Sequence, residues 1–360
     1  MNRRLTREVR IGSVPIGGGH PVVIQSMTNT DTRDSAATLE QIKRLKIAGC
    51  EVVRVAVPDK QAAEALRDIC RQSPVPIVAD IHFDYKLALQ AVENGVQGLR
   101  INPGNIGEKW KVKEVVRAVR EKNIPIRIGV NAGSLEKDIL QKYQGPTAQG
   151  LVESALRHIR ILEDEGYGNI KISLKASKVP LMIEAYRSIS ELLDYPLHLG
   201  VTEAGTISSG VVKSAVGIGC LLAEGIGDTI RVSLTGDPVA EVPVAKEILR
   251  VLGLKKGGFE FISCPTCGRT QIDLARLAQQ VEECLLTMPY PSEGLSIAVM
   301  GCEVNGPGEA KEADFGIAGG KGKGLIFQKG EIIARVPEKD LLPELIARIE
   351  AYLQEQAKEL

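Results

Sequence analysis

The sequence predicts an α/β protein, a TIM (β/α)8 barrel over residues 1–255 followed by a smaller α+β domain over 256–360. Three observations predict it. Short Val/Ile-rich runs recur eight times through the first two-thirds of the chain, each ending in polar residues or glycine and each followed by an amphipathic stretch. Within these runs the apolar residues alternate with a second set rich in cations. After a Lys/Gly turn at 255–258 (KKGG) the order of elements changes, and cysteines stand at strand ends.

The strands are expected at 22–28 (VVIQSMT), 52–57 (VVRVAV), 77–82 (IVADIH), 98–102 (GLRIN), 126–131 (IRIGVN), 171–175 (KISLK), 197–202 (LHLGVT) and 229–235 (TIRVSLT). Between them Leu39, Ile42 and Leu45 share one helical face, as do Val152, Ala155, Leu156, Ile159 and Leu162. Asp34-Ser35 supplies a capping signal before the first helix, and Gly49 and Gly95 supply stops. The long gap between the fifth and sixth strands, around Gly145-Pro146, has room for an extra short helix. Eight β–α repeats over roughly 250 residues are what a closed barrel needs. An open doubly wound sheet is the competing arrangement.

Strand parity carries the chemistry, because alternate residues face opposite sides. If Val53, Val55 and Val57 face the helices, Arg54 and Ala56 face the axis. The same rule turns Arg100 and Asn102 inward, then Arg127, Gly129 and Asn131, then Ser173 and Lys175, then Arg231 and Ser233. Five strands thus aim a cation at the axis, while the inward acids are few: Asp80, and Glu203 just past the seventh strand. A buried charge without compensation costs several kcal/mol, so the surplus suits a phosphate or diphosphate, which arginine binds bidentately. One or two of the arginines could instead sit low in the barrel in structural pairs. Glu203, in the run Thr202-Glu203-Ala204-Gly205, is the acid/base candidate at the mouth; its plainer role is a helix cap or a surface carboxylate. His82 and His198 share inward parity, and each is either functional or a satisfied structural histidine.

Composition excludes several classes. Lys+Arg equals Asp+Glu at 45 each, so no global field draws the chain to nucleic acid or membrane. No apolar run reaches membrane-span length, and the N-terminal MNRRLTREVRIG has no signal-peptide core. One Trp and 4% aromatics leave little for stacking on bases or sugars. Seven cysteines, an odd number spread over a long chain, argue for a reducing compartment, and a cytoplasmic protein is expected.

In the last hundred residues a strand runs into Cys264-Pro265-Thr266-Cys267-Gly268, followed by a helix from Ile272 to Leu286 and a strand at 295–302 ending in Cys302. The glycine-rich stretch 303–324 reads as a loop, with a hairpin at 324–336 and a terminal helix beyond it. Three cysteines at strand ends beside glycine and proline suit a metal or iron–sulfur centre. A zinc finger lacks ligands, because all four histidines precede the pair and no second CxxC exists. A thioredoxin-like pair would leave Cys302 without a role. Three thiolates and one replaceable oxygen ligand fit better, with Glu309 the nearest carboxylate and Glu303 its rival. Cys284 reads as a helix core residue, and Cys50, Cys70 and Cys220 as buried hydrophobes. No dinucleotide or P-loop motif occurs, and GGKGKG at 319–324 reads as a loop whose Lys321 and Lys323 could touch a partner or phosphate.

The runs VVIQSMTNTDT (22–32), LRINPGN (99–105), KISLKAS (171–177), LGVTEAG (199–205), SCPTCGR (263–269) and GCEVNGPGEA (301–310) together resemble the 4-hydroxy-3-methylbut-2-enyl diphosphate synthase family, in its two-domain bacterial form. The resemblance spans essentially the whole chain. It implies a barrel that binds 2-C-methyl-D-erythritol 2,4-cyclodiphosphate through Arg54, Arg100, Arg127, Lys175 and Arg231, with neutral hydrogen bonds from Asn102, Asn131, Ser173, Thr202 and Ser233. It further implies a [4Fe-4S] cluster on Cys264, Cys267, Cys302 and Glu309, with Glu309 yielding to substrate, and Glu203 moving a proton. An electron donor such as ferredoxin or flavodoxin and a homodimer belong to the same expectation. Two other readings are a zinc-containing barrel enzyme acting on a sugar phosphate and a zinc-ribbon recognition module.

Overall fold

The computed structural model describes residues 2–289, 294–302 and 310–359. They form two compact units, Met1–Lys255 and Lys256–Leu360. The first opens with a hairpin, β1 (Val9–Ile11) and β2 (Val14–Ile16). Eight strands follow: β3 (Val23–Met27), β4 (Val52–Ala56), β5 (Ile77–Asp80), β6 (Gly98–Arg100), β7 (Ile126–Asn131), β8 (Ile170–Lys175), β9 (His198–Leu199) and β10 (Thr229–Ile230). All pair in parallel in the order β8-β7-β6-β5-β4-β3-β10-β9, and a parallel bridge from Ile172 to Leu197 joins β8 to β9. The sheet therefore closes on itself; it is a barrel and not an open doubly wound sheet.

The strand faces explain the closure. Val53, Val55, Val57, Ile101, Ile126, Ile128, Val130, Ile172 and Leu174 are all buried in one continuous core with the surrounding helices. Each such side chain contributes about 1.5–3 kcal/mol over leaving it in water. The helices begin where the sequence signals them. Asp34 accepts the Ala37 N–H at 2.9 Å, and Gly49 ends that helix at φ 105°. The short helix Lys137–Lys142 occupies the gap between β7 and β8.

Two features depart from the sequence expectation. The hairpin was not foreseen, because its strands are three residues long. Val9, Ile11 and Ile16 bury themselves against Val23, Val52 and Val78, the lowest axis-facing residues of β3, β4 and β5, and so floor the barrel. The strands expected at 197–202 and 229–235 pair for two residues each. Beyond Ile230 the chain is held by scattered bonds, Arg231 N–H to Leu199 O (3.0 Å) and Thr235 N–H to Gly205 O (3.1 Å), so the barrel loosens where its side chains must reach the mouth.

In the second unit β11 (Phe259–Ser263), β12 (Leu295–Met300), β13 (Phe315–Gly320), β14 (Lys323–Gln328) and β15 (Glu331–Pro337) form one sheet in sequence order. β11, β12 and β13 are parallel, and the rest antiparallel. The helices Leu274–Thr287 and Leu341–Glu359 supply Leu274, Val281, Leu285, Leu341, Leu345 and Ile349 to its core. The stretch 315–320, expected as loop, is strand β13. Its glycines are packing sites: a Cβ on Gly316 would lie 2.2 Å from Phe327 Cζ, and one on Gly319 2.4 Å from Ile272 Cδ1. Lys321 and Gly322 make the tight turn that follows. Among the described residues no helix is long and apolar enough to cross a membrane.

Candidate active site

The axis-facing side of the barrel gathers the expected cations. Arg100 and Lys175 end their strands and Arg231 follows β10, at the C-terminal side where barrel chemistry is located, whereas Arg54 is third of five residues in β4 and Arg127 second of six in β7 and lies lower. Arg100, Arg127 and Lys175 are 5%, 4% and 6% exposed, and Arg54 and Arg231 are half-buried. A sixth joins them: Lys171, 2% exposed, at the same parity as Ser173 and Lys175 on β8. Two glycines leave them room. A Cβ on Gly129 would stand 2.8 Å from Arg100 Nε, and one on Gly200 would stand 2.9 Å from Lys175 Nζ.

Against six cations, the carboxylates within ion-pair distance among the described residues are two. Asp80 accepts from Arg100 Nη1 at 3.1 Å and faces Arg54 Nε at 3.5 Å; Glu241 faces Arg231 Nε at 3.6 Å. Burial opposes ionisation of Asp80, but Arg54, Arg100 and Arg127 overcome it and hold its pKa at about 2. The cations pay for their crowding. Burial, with repulsion from Arg231 and Arg100 only partly offset by Asp80, brings Arg54 down to about 10. Burial and the neighbouring guanidiniums push Arg127, Lys171 and Lys175 well below their ordinary values. Arg100 Nε, Arg127 Nε, Arg231 Nε and Lys171 Nζ are buried with no hydrogen-bond partner among the described residues. Buried donors left unpaired are costly, so the interior is built to meet an anion.

The neutral candidates divide. Asn102 serves the scaffold with half of its amide: its Nδ2 donates to Gly129 O (2.9 Å) and its Oδ1 accepts the Gly129 N–H (2.8 Å), tying the end of β6 to β7 and leaving a second N–H and a second lone pair. Ser173 Oγ accepts from Arg127 Nη1. Asn131 is opposite Lys175 in the β7–β8 register, and Asn131, Thr202 and Ser233 are half-buried. Glu203 is exposed on the turn after β9 with φ 54°, an uncommon backbone state for a residue with a side chain. His82 lies 3.2 Å from Arg100 Nη1, beside Asp80. His198 is buried lower, its Nδ1 2.7 Å from Thr229 Oγ1.

In the second unit, parallel pairing of β11 with β12 sets Cys264 and Cys302 past neighbouring strand ends. The Gly301 N–H donates to Cys264 Sγ at 3.3 Å. The CPTC turn is closed by Cys267 N–H to Thr270 Oγ1 (3.0 Å), and Gln271 N–H to Gly301 O (3.1 Å) ties it to the Cys302 strand. Cys302 is buried and Cys267 exposed, and a backbone N–H bond from Arg269 lowers the Cys267 thiol pKa against a small burial effect. Glu303 and Glu309 lie outside the described residues. Among the described residues no three His, Cys, Asp or Glu side chains close on a single metal ion. Thiols at adjacent strand ends, with a backbone N–H already aimed at one sulfur, are a donor set that fits an iron–sulfur cluster.

Family models agree with both units. The model described as the GcpE TIM-barrel domain matches residues 6–246, and that described as the GcpE protein C-terminal domain matches residues 260–351. The chain belongs to the GcpE family. Among its relatives, the 4-hydroxy-3-methylbut-2-en-1-yl diphosphate synthase (flavodoxin) of Geobacter sulfurreducens is 62% identical over 351 residues, 98% of this chain and 99% of that protein. Proteins of the same name from Clostridium acetobutylicum and Clostridium perfringens are 61% and 62% identical over 350 residues, 97% of this chain and 99% of each relative. The zinc-containing barrel finds no support among these GcpE relatives.

Three residues around the GcpE barrel site escaped sequence reasoning. Lys171 opens the KISLK run at the parity of Ser173 and Lys175, so the alternation that turned those two inward already turned it inward as well. Met27 Sδ accepts from Arg54 Nε and Nη2 at 3.2 and 3.0 Å, and β3 parity could have placed it inward. Glu241 comes from a helix start, where strand parity says nothing. The other cysteines differ in part from expectation. Cys50 is buried, with its thiol pushed by burial up to about 12, whereas Cys70, Cys220 and Cys284 are half-buried. Cys220 lies beside Arg187 and Glu224 at the surface, and Cys284 edges the helix without entering the core.

Proposed function

We propose that this GcpE-family chain is the enzyme its relatives are named for, reducing and opening 2-C-methyl-D-erythritol 2,4-cyclodiphosphate to 4-hydroxy-3-methylbut-2-enyl diphosphate in isoprenoid precursor synthesis. Two electrons and two protons enter, the ring opens, a carbon–carbon double bond forms and one water leaves. The observation that carries this reading is the barrel interior, where, among the described residues, six cations meet two carboxylates and four buried nitrogens make no hydrogen bond, one of them, Arg231 Nε, facing Glu241 at 3.6 Å.

Arg54, Arg100, Arg127, Lys175 and Arg231 hold the diphosphate and stabilise its growing charge as the ring opens; Lys171 adds field from below. Asp80 orients Arg54 and Arg100, and Asn102, on the mouth side of Arg100, ties β6 to β7 and keeps a second N–H for the substrate. Ser173 steadies Arg127, while Asn131, Thr202 and Ser233 offer neutral hydrogen bonds. Glu203, exposed at the mouth, gives its proton to the departing hydroxyl. Cys264, Cys267, Cys302 and Glu309 would hold a [4Fe-4S] cluster. When bound, that cluster supplies one-electron transfers and a Lewis-acidic iron. Flavodoxin is the electron donor, the compartment is cytoplasmic, and the protein works as a homodimer. Mixing subunits disabled at Cys264 with subunits disabled at Arg100 tests that dimer: activity returns if a site is shared, and its absence after proven subunit exchange rejects sharing.

Iron, sulfide and zinc content after anaerobic purification tests the reading. About four irons and four sulfides per chain are expected. Cys264→Ser should lose both while the barrel's far-UV circular dichroism persists. Stoichiometric zinc without sulfide would reject the redox function.

A further inference from the structure

Glu241 is the first residue of the helix Glu241–Val251, and it is 3% exposed. Its carboxylate turns toward the barrel wall. Oε2 accepts the Ser26 hydroxyl at 2.9 Å, Oε1 accepts the Leu234 N–H at 3.2 Å, and Oε2 lies 3.6 Å from Arg231 Nε. Ser26 belongs to β3; Arg231 and Leu234 belong to the segment after β10. Between these two strands the ladder has two pairs, Val23 with Thr229 and Ile24 with Ile230. Past them the chain that carries Arg231 and Ser233 makes no further ladder pair with β3, its Arg231 N–H bonding Leu199 O of β9 instead, and Glu241 spans the gap on the β3 side.

The direction of the contact matters as much as its presence. Glu241 approaches the Nε side of the Arg231 guanidinium. Among the described residues, Arg231 Nη1 has the Met27 sulfur, at 3.6 Å, as its one hydrogen-bond contact. The terminal nitrogens therefore remain for an anion, while the carboxylate, at 3.6 Å and short of a hydrogen bond, draws the Nε side of the guanidinium toward itself by charge.

We infer that Glu241 is a positioning residue for diphosphate recognition, acting through Arg231 and the backbone that carries Ser233. This rests on the proposed substrate class, and the test separates the two. Holoenzyme variants Glu241→Ala, Glu241→Gln and Ser26→Ala are compared with wild type for KM and kcat on the cyclodiphosphate, affinity for inorganic pyrophosphate by calorimetry, and thermal midpoint. Glu241→Ala should raise KM and weaken pyrophosphate binding about tenfold each, with kcat changed far less. Glu241→Gln, which can still bond Ser26 and the Leu234 N–H, should recover part of the loss. In an Arg231→Ala background Glu241→Ala should add little, because its target is gone.

Wild-type KM and pyrophosphate affinity in Glu241→Ala would overturn the assignment, as would a lowered thermal midpoint with both unchanged. Should that variant fail to fold, Ser26→Ala decides: weaker pyrophosphate binding supports the role, and unchanged binding rejects it. If wild type binds pyrophosphate yet never turns over the cyclodiphosphate, the substrate reading fails, and the pyrophosphate comparison still judges Glu241.

Discussion

Lys171 and Lys175 project from the same face of β8 into a space already crowded with guanidiniums, and burial with that repulsion lowers both pKa values well below the ordinary lysine range. The consequence for stability has a definite sign. Below the unfolded lysine pKa of about 10.4, the unfolded chain binds protons that the folded barrel resists, so stability of the ligand-free protein should rise with pH toward that value. A bound diphosphate reverses the local field, raises both folded pKa values and flattens the slope. Thermal midpoints measured from neutral pH upward, with and without pyrophosphate, check this; identical slopes would count against it. Lys171→Met removes a buried amine with no hydrogen-bond partner among the described residues and should raise the midpoint of the ligand-free protein while weakening pyrophosphate binding. A lowered midpoint with unchanged affinity would mean that Lys171 is a structural group. At this scale the sequence revealed the inward cations, because alternation along a strand is rigid. It did not reveal how far the neutral groups are already engaged: Asn102 has inward parity, and one donor and one acceptor of its amide are used by the Gly129 backbone.

Elements were legible where their apolar period was long and their ends were signalled, as in β7, β8 and the helix capped by Asp34. They were illegible where packing replaced pattern. The β1–β2 strands have three residues each, too few to show alternation, and only the exposed lower rim of β3, β4 and β5 explains why they form. β13 hides for the opposite reason, since glycine usually weakens a strand; here it admits the side chains of Phe327 and Ile272 against the sheet. Gly319→Val, favourable by strand propensity, should therefore destabilise the second unit by about 1–3 kcal/mol through overpacking against Ile272. Denaturant unfolding followed by circular dichroism measures this, and wild-type stability would show that the close approach is not constraining. β9 and β10 pair for two residues each. The chain leaves the ladder early, and Glu203 and Arg231 are carried on backbone held by caps and single bonds.

For the whole molecule, the chain combines two chemistries that the sequence separates cleanly. The first unit concentrates positive charge inside a barrel whose total charge is balanced by acids elsewhere, so a formal net charge of zero conceals a strongly cationic interior. The second brings thiols to the ends of parallel strands. The spacing of Cys264, Cys267 and Cys302 was enough to suggest the centre, because a CxxC turn and a neighbouring strand end meet whenever the two strands pair in parallel. A fourth ligand for the proposed cluster was not legible from spacing alone, since Glu303 and Glu309 both follow Cys302 closely, and both lie outside the described residues. The division of labour between cation ring and mouth carboxylate is the central claim, and turnover tests it most directly. Anaerobically prepared wild type, Arg100→Ala and Glu203→Gln are supplied with reduced flavodoxin and the cyclodiphosphate, and formation of 4-hydroxy-3-methylbut-2-enyl diphosphate is followed. Wild type should convert the substrate, Arg100→Ala should lose mainly in KM, and Glu203→Gln should lose mainly in kcat. No product from wild type of full iron and sulfide content would contradict the account, as would equal effects of the two substitutions on KM.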